Sequence, residues 1–192
     1  RARVYFDYLL RYTWNCPWGR LYRREFLAQN RLRFFDTYLR SDEDMVFTYC
    51  LFGVVAHVEF LQQPLYYYRQ VAGSLTAQGL HRPEKILQRA EALHCTAQYL
   101  QTKNPALARK IIPPAAFLYI RYACAECWFY PDKNTRRRAN AVLRRLRHNK
   151  TFRRWMLRAA FSRQGVRWHD RPLALCYALG GANIFYALRR HF

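Results

Sequence analysis

The stretch AHVEFLQQPLYYYRQVAGSLT, Ala56–Thr76, decides the fold class. AHVEFLQ and LYYYRQ are short runs rich in the aromatic and β-branched residues that suit a pleated, half-buried surface. Gln63 and Pro64 separate them, and AGSLT closes the second with a turn. Helical patterns lie on either side. The predicted fold is therefore α/β, mixed and helix-rich, with short strands over residues 1–80 and a helical extension over 81–192.

Upstream, RSDEDMVFTYCLF, Arg40–Phe52, predicts a helix beginning at Ser41. A serine N-cap with Asp44 three residues on approximates a capping box, and Met45, Val46, Tyr49, Leu51 and Phe52 supply apolar positions beyond it. Asp42, Glu43 and Asp44 have three readings: acids favoured by the helix dipole, a D-x-D metal pair, or a general base at a cleft. Further upstream, WNCPWGRLYRREFLAQNRLRF reads as a turn at Pro17, an extended WGRLY and a short helix around Arg24 to Gln29. Residues Arg1 to Tyr12 have helical spacing.

Taken in order, PWGRLYRREFLAQNRLRF, SDEDMVF and PLYYYRQVAGSLT resemble the second half of the catalytic domain of family-2 glycosyltransferases, inverting enzymes of the GT-A fold. The likeness covers about residues 14–76. It implies a partial GT-A-like domain whose nucleotide-binding half, with its own D-x-D motif, does not appear in this sequence. The chain is thus expected to be a C-terminal fragment that does not transfer sugar alone. It opens on RARVYFDYLLRY with no initiator Met.

Carried over residue by residue, the resemblance implies that Glu43 and Asp44 form the Glu-Asp pair of the family and that Asp44 is the general base. That carboxylate would deprotonate an acceptor hydroxyl, which attacks the anomeric carbon of a nucleotide sugar with inversion. Arg69 and Ser74 fall on the donor-phosphate side, and Trp18 on the acceptor side. The implied substrates are a nucleotide-sugar donor and a glycan or lipid-linked acceptor. A divalent metal, magnesium or manganese, is expected only with the nucleotide-binding half, and no metal is expected on this chain alone.

The remainder is helical and basic. Long helical patterns run over Glu84 to Lys103, Ala106 to Tyr130, Asn134 to Asn149, Phe152 to Phe161 and Leu173 to Arg190, with Pro113-Pro114 expected to break or kink the second. The chain carries a formal net charge of +21. Residues 1–80 hold 10 basic and 7 acidic side chains against 23 and 5 in residues 81–192, so the charge belongs to the helical extension. Between Lys133 and Arg171 the only acid is Asp170, and Leu, Phe, Trp and Met are interleaved with the arginines. Basic amphipathic helices of this kind suit an anionic membrane surface, here over residues 133–190. The same charge binds nucleic acid only nonspecifically, since no recognised module organises the arginines. A non-enzymatic basic helical module is the alternative reading of the chain.

LALCYALGGANIFYAL, Leu173–Leu188, is free of charge but too short and interrupted to span a bilayer, so a peripheral location at the inner face of the membrane is expected. The six cysteines lack the spacing of a disulfide scaffold and fit a reducing cytoplasm. Cys124 and Cys127 have C-x-x-C spacing in an apolar helical pattern, with no second pair to complete a zinc site. His94-Cys95 is a poor nucleophile pair because adjacent helical residues point to different faces. No Walker loop, G-x-S-x-G or H-E-x-x-H is present.

Overall fold

The computed structural model describes residues 16–35, 43–59, 61–72, 74, 83–129, 132–162 and 166–179, the side chains at 84, 119 and 122–129 excepted. Among them are seven α-helices and no strand. The helices are α1 (Arg24–Asn30), α2 (Glu43–Val54), α3 (Glu84–Lys103), α4 (Pro105–Phe129), α5 (Lys133–His148), α6 (Lys150–Ala160) and α7 (Arg171–Leu179). A 3₁₀ turn, Trp168–Asp170, leads into α7.

The α/β expectation is therefore corrected: the described chain is all-helical, not a partial GT-A-like domain. Residues 55–59 and 61–72 follow α2 without regular structure, and the side chains of 61–72 are exposed. The β-type composition of LYYYRQ fits a pleated surface, but such propensity is realised only against partner strands. Tyr66, Tyr67 and Tyr68 instead pack locally or face solvent. The expected helix Arg1–Tyr12, the N-cap Ser41, Asp42 and the run beyond Leu179 lie outside the described residues, as do the side chains of Cys124 and Cys127.

Single residues punctuate the bundle. Asn104 ends α3, its N–H donating to the Leu100 carbonyl at 2.7 Å, and begins α4, its Oδ1 accepting from the Leu107 N–H at 3.1 Å. Pro105 occupies the first position of α4, where a missing N–H costs nothing. Asn149 closes α5 onto Leu146 at 2.9 Å and caps α6 by accepting from the N–H groups of Thr151 and Phe152 at 3.0 and 3.1 Å. Asp132 caps α5 through Thr135, and those hydrogen bonds hold its carboxyl below the ordinary carboxylate range.

The prolines at 113 and 114 do not interrupt α4, which continues through both to Phe129. Residues 111–117 are all buried, so tertiary packing on both sides holds the helix where the local ladder loses two donors.

The core is continuous from α2 to α7. Met45–Gly53 of α2 are all buried, as expected for a helix that is apolar around most of its circumference. α2 lies against α3, α3 against α4, α4 against α6, and α6 against α7. Gly53 marks the closest approach of α2 to α3, where a Cβ would run into the buried Leu100 side chain. α1 is docked by a hydrogen bond from the Tyr99 hydroxyl to the Asn30 carbonyl at 2.8 Å. It ends in a Schellman turn, with Leu32 N–H on the Leu27 carbonyl, Arg31 N–H on the Ala28 carbonyl, and Arg31 left-handed at φ 53°.

The basic helices α5 and α6 turn their apolar sides inward. Ala139, Leu146, Phe152, Trp155, Met156, Ala159 and Ala160 are buried, whereas Arg137, Arg138, Arg144, Arg145, Arg153, Arg154 and Arg158 are exposed. Of the aromatic residues in this basic stretch, Phe152 and Trp155 are core residues, whereas Phe161 and Trp168 are exposed. No described helix is long and apolar enough to cross a membrane.

Candidate acceptor-side site

The segment Cys16–Arg23 precedes α1 and is irregular. Burial nevertheless alternates along it. Cys16, Trp18, Arg20 and Tyr22 are wholly or partly covered, while Gly19, Leu21 and Arg23 face solvent, Leu21 at 93% exposure. This is the period-two pattern of extended backbone, and it puts four chemically distinct side chains on one side. Gly19, at φ 70°, supplies a turn that an L side chain adopts only with strain.

Trp18 holds the tyrosine-rich segment. Its indole stacks on Tyr66, with centroids 5.1 Å and planes 14° apart, and on Tyr68 at 4.8 Å and 24°. Tyr67 between them points away and is 91% exposed, again as extended backbone requires. Each such pair contributes about 0.5–1.5 kcal/mol beyond its area burial. Because Tyr66 and Tyr68 stay partly exposed, the three rings form an aromatic surface open to solvent.

Arg20 ties this segment to α2. Its guanidinium lies over the Phe52 ring, 5.3 Å from the centroid, and hydrogen-bonds the Tyr22 phenol. The Tyr22 hydroxyl donates to the Pro17 carbonyl at 2.6 Å, and its ring meets Phe47 edge-on. Burial pushes the Tyr22 phenol up, with Arg20 opposing. Burial likewise raises the Cys16 thiol; Arg20 lowers it and the Asp44 carboxylate raises it further. Cys16 therefore stays a protonated thiol near neutral pH. The charges on Arg20 and Asp44 both lie within reach of it.

Asp44 stands in the first turn of α2, half-buried, its Oδ1 accepting from the Met45 N–H at 2.7 Å. Glu43 is beside it in the same turn. The helix start thus orients one carboxylate oxygen.

The structure brings Trp18 onto the segment that carries Arg69, and Asp44 within electrostatic reach of Cys16. Arg69 is exposed one residue beyond Tyr68, and Ser74 closes a turn through its N–H on the Val71 carbonyl at 3.2 Å. Arg20, Cys16, Tyr66 and Tyr68 did not emerge as site residues from the sequence; the C-x-W-x-R-x-Y alternation was the available signal. Among the described residues no group of three His, Cys, Asp or Glu side chains could hold a metal ion.

No protein family, no curated protein and no solved structure matches the chain.

Proposed function

We propose that this chain forms the acceptor-side part of an inverting glycosyltransferase similar to family 2, acting with a nucleotide-sugar-binding part that it does not itself contain. One observation carries the reading: Trp18 gathers Tyr66 and Tyr68 of one motif segment beside its own, while Asp44 of the third lies within electrostatic reach of Cys16 in the Trp18 segment. The proposal rests on these side chains and requires no sheet within the chain.

In the proposed step Asp44 accepts the proton of an acceptor hydroxyl. The acceptor oxygen forms a bond to the anomeric carbon, the bond from that carbon to the diphosphate oxygen breaks, and the nucleoside diphosphate leaves from the opposite face. One displacement inverts the configuration. The rings of Trp18, Tyr66 and Tyr68 offer the flat apolar surface on which a sugar face or a lipid-linked acceptor rests, and Arg69 supplies a cation suited to donor phosphate. Glu43 supports the acidic helix start. The enzyme works at the inner face of the membrane as a peripheral protein, where lipid-linked acceptors are presented.

Calorimetry of the 192-residue chain with uridine- and guanosine-diphosphate sugars, with and without magnesium or manganese, tests the division of labour. No binding heat is expected. Tight metal-dependent binding would locate the donor site in this chain and contradict the proposal.

A further inference from the structure

α7 is apolar on both sides. Its inner positions Leu173, Ala174, Tyr177 and Ala178 are buried against the bundle. Its outer positions are Pro172, Leu175 and Leu179, and the 3₁₀ turn before it adds Trp168. Trp168, Leu175 and Leu179 are 78%, 37% and 59% exposed. Their spacing of four, three and four residues puts Trp168, Pro172, Leu175 and Leu179 along one line. A helix apolar all round normally sits inside a protein or in lipid.

Cations flank both ends of this line. Arg167, its side chain 61% exposed, adjoins Trp168, and the Arg147 guanidinium donates to the Leu179 carbonyl at 3.3 Å. The acid of this region, Asp170, is buried and paired with Arg121 and Arg167 at 3.3 and 3.0 Å, so its charge is spent internally. An apolar line flanked by the exposed Arg167 and the half-buried Arg147 matches the interface of an anionic bilayer, with Trp at headgroup level, leucines at the acyl boundary and guanidinium groups towards the phosphates.

We propose that the Trp168–Leu179 line is a docking surface for an anionic lipid bilayer. It names the face that serves the peripheral location put forward above, and vesicle binding is read without donor or acceptor, so its failure is separate from that of sugar transfer. A second copy is a poorer occupant, because pairing would bring together two halves that each hold 23 basic and 5 acidic residues. Nucleic acid satisfies the arginines but leaves Leu175 and Leu179 against a polar groove.

The test is flotation of the full chain with phosphatidylcholine vesicles and with the same vesicles carrying phosphatidylglycerol, at low and raised salt. Binding to the anionic vesicles is expected, with a fraction persisting at raised salt. Leu175→Gln with Leu179→Gln should lower partition about tenfold or more, because apolar burial is lost while the net charge is kept. Quenching of Trp fluorescence by brominated acyl chains should disappear in Trp168→Phe. Leu21→Gln, the same swap at a more exposed leucine elsewhere, should bind as wild type. Circular dichroism verifies that each variant folds.

Four results would overturn the proposal: absence of vesicle binding by the folded wild type; unchanged binding by the double variant, which leaves arginines alone responsible; self-association that the double variant abolishes; or oligonucleotide binding, without vesicle binding, that it weakens.

Discussion

Trp18 and Tyr68 lie ring on ring, centroids 4.8 Å apart, although 50 residues of sequence separate them. With the matching contact to Tyr66 this stack fastens residues 61–72, which have no strand partner among the described residues, to the segment ahead of α1. Trp18→Ala is expected to release them. Limited proteolysis should then cut within residues 61–72 several-fold faster than in wild type, a change of about 1–2 kcal/mol in local opening. The thermal midpoint of the bundle should move little. Unchanged cleavage would mean that something other than the stack holds the segment.

The buried Asp170 is expected to matter far more than its exposed neighbours. Its carboxylate is 3% exposed and meets Arg121, itself largely covered, as well as Arg167. Asp170→Ala removes the buried carboxylate that Arg121 pairs with, and a loss of about 3–5 kcal/mol is expected in urea unfolding. Arg167→Ala, on the solvent side of the same pair, should cost about 1 kcal/mol or less.

Alkaline pH should destabilise the fold through the interface of α2 with α3. Burial, with a smaller contribution from Cys95, pushes the Cys50 thiol from 9.0 up to about 12. Burial and then Cys50 push Tyr99 from 10.0 to about 12. Both groups hold their protons more tightly in the folded chain. Their stabilisation is therefore complete below pH 9 and is lost as pH rises from 9 towards 12. The Cys50 thiol alone should give a slope approaching 1.4 kcal/mol per pH unit within that window. Urea midpoints measured against pH should fall there, and Cys50→Ala should flatten the fall between pH 9 and 10. A pH-independent midpoint in wild type would contradict this origin.

The helical extension was largely legible in the sequence because its signals are local. Asn104-Pro105, Asp132 and Asn149 lie where periodic apolar patterns stop and start, and helices α3 to α6 follow them within a few residues. The absence of strands among the described residues was not legible. Tyr66–Tyr68 have strand composition, but forming a strand depends on neighbours that composition does not supply. Pro113-Pro114 misled for the converse reason: a local penalty was overridden by burial of both flanks of α4. Phe152, Trp155 and Met156 satisfied the pattern of a membrane-facing side and of a core-facing side equally well, and packing on α4 and α7 decided between them. At the site, Asp44 and Trp18 were visible as motif residues. Arg20 was not, since its place over Phe52 depends on how Cys16–Arg23 crosses α2.

The most direct measurement of the sugar-transfer proposal compares wild type with Asp44→Asn in the complete native enzyme. The readout is incorporation of labelled sugar from a nucleotide donor into lipid-linked or polysaccharide acceptor, with the product anomer assigned by NMR. The amide oxygen of asparagine can still accept from the Met45 N–H, so the helix start and the melting temperature should be retained. Transfer with inversion by wild type, and a loss of about 100-fold or more in Asp44→Asn at an unchanged melting temperature, is the expected result. Transfer undiminished in the folded variant, or a product that keeps the donor configuration, would contradict the role of Asp44 as the base.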